Sequence, residues 1–246
     1  VITQALSLSG WSPEAVVFDC DGTLVDNERH WQEARRRAFG AFGLTPPPGF
    51  AERAKGVHYA DCGRLMAEET QKPELAADLT RALLEHFLAL VADDPVTMPG
   101  AGELVRLLSG RVPLAVASNC PLEVVEESLA QAGLLRHFQH VVVPSGTSLD
   151  PGGGFPPVNG AGIVRPKPWP DVYATAARLC GVRPGAALAF EDSLTGVDSA
   201  CRAGLRVVGV GPRPAEVDAA RADLWVETLR APDLLTWIRA RVLGQD

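Results

Sequence analysis

The chain has 246 residues, 46% of them hydrophobic, with five cysteines and a formal net charge of −7. That length fits one large domain or a core carrying a smaller insertion, and the apolar share is enough for a substantial core. The acidic balance speaks against bulk attraction to nucleic acid or to an anionic membrane surface. No run is long and apolar enough to span a bilayer, and no basic segment followed by an apolar one opens the sequence, so a cytoplasmic protein is expected. The cysteines, at 20, 62, 120, 180 and 201, form no CxxC pair and no zinc spacing. They read as reduced thiols, with Cys20 and Cys120 as small buried filler in preference to nucleophiles.

In chain order, the first element is the run Ala15-Val16-Val17-Phe18, a short buried strand that delivers Asp19 and Asp21 before Gly22 breaks it. Residues two apart on an extended chain point the same way, so the two carboxylates can converge on one substrate atom. Two acids so placed repel each other unless a cation sits between them. The pair therefore points to a metal, and to a reaction in which one carboxylate attacks while the other moves a proton. Asp21-Gly22 alone is an ordinary turn dipeptide. The apolar run, the spacing, Gly22-Thr23 and the further Asp26 give the segment its meaning together.

Residues 28 to about 95 contain no convincing strand. Amphipathic helices are predicted over 28–42, 59–70 and 73–92, with Pro46-Pro47-Pro48 separating the first two. Asp93-Asp94-Pro95 and Met98-Pro99-Gly100 read as the return link. The expected organisation is a helical domain, residues 28–95, inserted into a core built from 1–27 and 96–246. Its position beside the Asp pair favours a lid that expels water and touches substrate over a purely structural crossover.

Beyond the insertion, strands are predicted at 114–118, 140–144, 187–192, 206–211 and 223–227. Helices are predicted at 101–109, 121–132, 170–180, 194–203 and 214–221. Nearly continuous apolar strands alternating with helices predict an α/β, doubly wound, Rossmann-like core with a parallel sheet. The Gly/Pro-rich stretch 145–166 reads as a surface insertion, with a flap as the alternative.

Three further positions at predicted strand ends or adjoining loops carry chemistry. Ser118 and Asn119 can hydrogen-bond a phosphoryl oxygen, although a helix cap before Pro121 explains them equally well. Lys167, one of only three lysines, stands between Pro166 and Pro168 on a stiff loop and suits a phosphoryl group as a point charge. An exposed lysine before a helix is the plainer reading. Glu191 and Asp192 are adjacent acids at a strand end, where one meets a metal directly and the other supports it from behind. Hard oxygen ligands point to Mg²⁺, and helix-dipole pairing is the alternative. All of these positions belong to strand C-terminal ends, where doubly wound sheets bind ligands.

The segment Val16-Val17-Phe18-Asp19-Cys20-Asp21-Gly22-Thr23 resembles the first motif of the haloacid dehalogenase superfamily, whose phosphatase branch carries Asp-x-Asp-Gly-Thr. The order Asp pair, Ser118, Lys167, Glu191-Asp192 is similar to the superfamily's order over residues 12 to 230. The helical insertion and Asp26-Asn27-Glu28 look like the branch of β-phosphoglucomutase, phosphoglycolate phosphatase and sugar-phosphate phosphatases. The resemblance implies Asp19 as nucleophile, Asp21 as acid and base, and Ser118 and Lys167 on the phosphoryl oxygens. It implies Mg²⁺ on Asp19, the backbone carbonyl of Asp21 and Asp192, with Glu191 supporting. Asn119 and Lys55, the latter in a Lys55-Gly56-Val57 segment similar to the mutase's substrate-contacting cap, are implied to bind substrate.

Tyr59 stands where the mutase has an arginine and Trp31 where it has a histidine, with His30 one place off. These departures favour hydrolysis of a small phosphorylated metabolite, with the mutase as alternative. A haloacid dehalogenase needs neither Asp21 nor the Glu191-Asp192 pair. A catalytically silent binding protein on the same fold is the remaining reading.

Overall fold

Six short strands form one parallel sheet, each mostly apolar and without polar alternation, with polar residues only at strand ends (His140, Glu191 and Arg206). They are β1 (Ala15–Phe18), β2 (Leu114–Ala117), β3 (His140–Val142), β4 (Ala187–Glu191), β5 (Arg206–Val210) and β6 (Leu224–Val226). Their order is β3-β2-β1-β4-β5-β6, and every neighbouring pair is parallel. This is the expected doubly wound α/β core. The protein is described here by a computed structural model, over residues 8, 10–54, 57, 59–94, 96–146, 163–219 and 221–244.

Every residue of β1, β2 and β4 is buried. Such strands sit at the sheet centre because only there can both faces of a continuous apolar run leave water. Register then aligns their ends. Phe18 pairs with Val116 on one side and Phe190 on the other, and the rings of Phe18 and Phe190 stack at 5.0 Å. Asp19, Ser118 and Glu191 therefore emerge within two residues of one level, at the C-terminal edge where the strand order reverses between β1 and β4.

The flanking helices are α5 (Ala101–Leu108), α6 (Leu122–Gln131), α7 (Asp171–Leu179), α8 (Leu194–Ala203), α9 (Glu216–Ala219) and α10 (Pro232–Ile238) of the core, by a numbering that counts four insertion helices first. Helices α7 and α8 press small residues, Ala176, Ala177, Val197 and Ala200, onto Ala15, Val17, Ala187 and Ala189 of the sheet. Burying each valine contributes about 1.5–3 kcal/mol. Ser193 caps α8 by accepting from Gly196 N, and Gly204, at φ +87°, ends it in a left-handed turn.

Residues 26–96 form a second compact unit and the rest of the chain the first. The second unit holds α1 (Glu28–Ala41), α2 (Phe50–Ala54), α3 (Tyr59–Glu69) and α4 (Ala76–Asp93), with no strand among its described residues. Trp31 of α1 stacks on Phe87 of α4 at 3.7 Å. Buried Arg35 donates to Glu28 at 2.8 Å. At Gly63 a Cβ would lie 2.9 Å from the Thr80 backbone, so only glycine lets α3 approach α4 this closely.

Three elements differ from the expectation. Helix α10 and the short α2 lie in stretches with no predicted element, being seven and five residues long, too short for a clear period. The predicted helix 73–92 starts with a 3₁₀ turn, Pro73–Leu75, before α4. Lys55, Gly56, His58 and residues 147–162 of the Gly/Pro-rich stretch lie outside the described residues.

Candidate active site

Asp19 extends β1 by one residue. Its N–H still donates to Phe190 O at 2.9 Å, and the residue is only 7% exposed. The chain then turns at Gly22, whose φ of +89° is the left-handed region that glycine adopts without strain. Its N–H closes the turn on Val25 O at 2.8 Å. A Cβ on Gly22 would also lie 2.8 Å from the Asp192 carboxyl carbon. The turn after the Asp pair thus rests against the acid at the end of β4.

Lys167 reaches the same place from the loop before α7, and it is 8% exposed. Its Nζ donates to Asp19 Oδ1 at 2.6 Å and to Glu191 Oε1, and lies 3.4 Å from the Tyr173 hydroxyl. The loop is pinned at several points. Arg165 grips Asp171 through two bonds of 2.8 and 2.9 Å, and Ser199 Oγ donates to Trp169 O at 2.5 Å. Asn119 grips the Lys167 backbone from both sides, accepting its N–H at 2.8 Å and donating to its carbonyl at 3.3 Å. Ser118 is buried, and its Oγ accepts from Cys120 N at 3.1 Å, which leaves the hydroxyl proton for another acceptor.

Glu191 is fully buried, and both its oxygens are in use. Oε1 accepts from Lys167 and, at 2.9 Å, from Tyr173 Oη. Oε2 accepts from Ser193 N at 3.1 Å and Ser193 Oγ at 3.0 Å. A Cβ on Gly196 would overlap this carboxylate, so glycine there makes room for it.

Among the described residues, four carboxylates, Asp19, Asp21, Glu191 and Asp192, gather around one ammonium, Lys167. Burial pushes the Asp19 carboxyl well up, Lys167 opposes, and Glu191, Asp192 and Asp21 push it further. Burial pulls Lys167 down, but Asp19 and Glu191 outweigh it and hold the ammonium charged. The second Asp19 oxygen, Oδ2, is buried and has no hydrogen-bond partner. Carboxylate oxygens of Asp19, Glu191 and Asp192 come within 4.8 Å of one another. An orphaned buried oxygen among excess carboxylates fits a hard divalent cation. Because the Glu191 oxygens already hold four donors, Asp19 and Asp192 are the acids positioned to meet such a cation, and Glu191 braces Lys167.

Residues 13–204 match the family of haloacid dehalogenase-like hydrolases. The chain belongs to that family. This hydrolase is 31% identical over 211 residues to a probable pseudouridine-5'-phosphatase of Drosophila melanogaster, with 84% of this chain and 85% of that protein covered. It is 27% identical over 199 residues to a phosphorylated carbohydrates phosphatase of Thermotoga maritima, covering 80% and 85%. Among solved structures it is similar to CbbY from Rhodobacter sphaeroides in complex with phosphate, with a TM-score of 0.72, 28% identity, and 92% and 99% of the two chains covered.

In this hydrolase the structure brings Asp19, Asp192, Glu191 and Lys167 into one cluster, with Asn119 on the Lys167 backbone. Asp21 joins Ser118 through Cys120, whose Sγ lies 2.9 Å from Asp21 Oδ2 and whose N–H bonds Ser118 Oγ. Asn119, expected on the substrate, has its amide on the lysine loop, accepting from and donating to the Lys167 backbone. Glu191, expected to support the metal, lies in the acidic cluster with Asp19 and Asp192, and its oxygens also accept from Lys167, Tyr173 and Ser193. Lys55, expected to bind substrate, is outside the described residues. The sequence reading gave no role to Tyr173, Ser193 and Gly196, which bond Glu191 or make room for it. The available signals were a phenol on the apolar face of α7 and a glycine inside a helix.

Proposed function

We propose that this hydrolase is a Mg²⁺-dependent phosphatase that cleaves small phosphorylated metabolites, sugar phosphates or similar monoesters, through an aspartyl-phosphate. The observation that carries the reading is Asp19: buried, held at Oδ1 by a charged lysine, unpartnered at Oδ2, and beside Asp192. Mg²⁺, which this family generally uses, would be held by Asp19, Asp192 and the Asp21 backbone carbonyl, and would supply charge neutralisation for the phosphoryl group.

The protein's own groups do the rest. Lys167 and the Ser118 hydroxyl bind phosphoryl oxygens, and Asn119, Glu191 and Tyr173 keep the lysine in place. Asp19 attacks phosphorus, the bond to the ester oxygen breaks, and Asp21 gives that oxygen its proton. An alcohol leaves and Asp19 carries the phosphoryl group. Water then attacks phosphorus while Asp21 takes one of its protons, the acyl–phosphate bond breaks, and inorganic phosphate and both acids are regenerated. The helical unit, residues 26–96, is assigned the role of a cap that selects among esters, with Lys55 as its candidate substrate contact. The relatives' names support a sugar-phosphate class. Five unbridged cysteines and the lack of a long apolar helix among the described residues support a cytoplasmic setting.

A phosphate-release screen over metabolite esters, with and without Mg²⁺, tests the reading. Release that depends on Mg²⁺ supports it. Isomerisation of a glucose phosphate with a bisphosphate primer, without release, would replace it by a mutase. Silence on the whole panel would replace it by a binding protein.

A further inference from the structure

We infer that Cys120 is a positioning residue that holds the Asp21 carboxyl in the orientation its proton transfer needs. The inference rests on the phosphatase reading and goes beyond it. Cys120 Sγ lies 2.9 Å from Asp21 Oδ2, and the residue is 9% exposed. Its backbone cannot drift, because its N–H is bonded to Ser118 Oγ at 3.1 Å at the end of β2. The thiol is buried beside the carboxylate, with Asp21 Oδ2 as the acceptor in its reach.

A carboxyl group turns about the bond that joins it to its side chain, so a contact to one oxygen fixes where the other points. The acid step needs the carboxyl held toward the ester oxygen, and a fixed orientation removes unproductive ones before each turnover. A thiol is a weak donor, which suits a contact that orients the acid without holding it tightly.

The effect must fall on esters whose leaving oxygen needs a proton. Glycerol 2-phosphate releases a strongly basic alkoxide, whereas p-nitrophenyl phosphate releases a stable phenolate that leaves without one. The experiment measures kcat/KM for both esters, with Mg²⁺, in wild type, Cys120→Ala, Cys120→Val and Cys120→Ser, with a thermal melt of each. In Cys120→Ala and Cys120→Val, glycerol 2-phosphate is expected to fall about tenfold, the loss of one hydrogen bond near the weak end of the charged range. p-Nitrophenyl phosphate should stay within about twofold because it draws little on the acid. Cys120→Ser, whose hydroxyl can donate to Oδ2, should restore the wild-type ratio. Cys120→Val preserves the test if Cys120→Ala folds poorly.

An unchanged ratio in the non-donor variants, an equal fall on both esters, or no rescue by serine would overturn the inference while leaving the phosphatase reading intact. Wild type silent on these esters and on the whole metabolite panel would instead overturn the reading, and the inference with it.

Discussion

Gly196→Ala is a one-carbon change that the structure predicts to reach the candidate nucleophile through two intermediaries. Gly196 is the third residue of α8, and its conformation is ordinary for any residue, so the constraint is space alone. The added Cβ would overlap Glu191 Oε1, Cδ and Oε2. Glu191 cannot swing away, because it is fully buried and its oxygens hold Lys167, Tyr173 and Ser193. Either the carboxylate leaves Lys167 or the first turn of α8 lifts from the Ser193 cap. Overpacking costs about 1–3 kcal/mol and a lost buried hydrogen bond about 1 more, so the expected destabilisation is about 2–4 kcal/mol. At about 2–4 °C per kcal/mol for a chain of this size, the melting temperature should drop by about 4–16 °C. Displacing Lys167 by an ångström should lower Mg²⁺-dependent phosphate release about a hundredfold. Gly185→Ala is the control, since its Cβ would meet only Gly204 O at 3.9 Å, and both readouts should stay near wild type. A Gly196→Ala protein that melts and turns over like wild type would refute the reasoning that Glu191 is pinned.

Asp19→Asn should abolish phosphate release in a colorimetric assay while the circular dichroism spectrum stays unchanged, since the amide cannot attack phosphorus. Chelation should stop turnover. Mg²⁺ should raise the melting temperature of wild type but not of Asp192→Asn, by about 2.7 kcal/mol of stabilisation at a hundred times the dissociation constant. Asn119→Ala removes both grips on the Lys167 backbone and should lower kcat/KM about tenfold in steady-state assays, a loss comparable to one well-placed hydrogen bond. Tyr173→Phe takes one donor from a fully buried carboxylate and should cost about 1–3 kcal/mol in urea denaturation.

The strands were legible because each is a short apolar run between turn residues, and burial on both faces erases alternation. Their ends carry Asp19, Ser118, Glu191 and Asp192, so topology alone places these side chains on one edge. Register was not legible. Nothing in the sequence pairs Phe18 with Phe190, yet that pairing sets Asp19 level with Glu191. The bonds of Asn119 to Lys167 and of Cys120 to Asp21 span 48 and 99 residues, beyond any local pattern. The bonds of Glu191 to Lys167, Tyr173 and Ser193 were not legible, because a sequence shows a carboxylate but not the donors around it. Gly196 did leave a trace, since a glycine inside a helix costs about 1 kcal/mol relative to alanine and marks a close approach.

The most direct measurement is the fate of phosphorus during turnover. A reaction with a readily cleaved ester and Mg²⁺ is quenched in acid within its first turnovers, digested and analysed by mass spectrometry. The account predicts a peptide heavier by one phosphoryl group, with the mass on Asp19, and none in Asp19→Asn. Mg²⁺-dependent turnover with the phosphoryl group found on another side chain would contradict it.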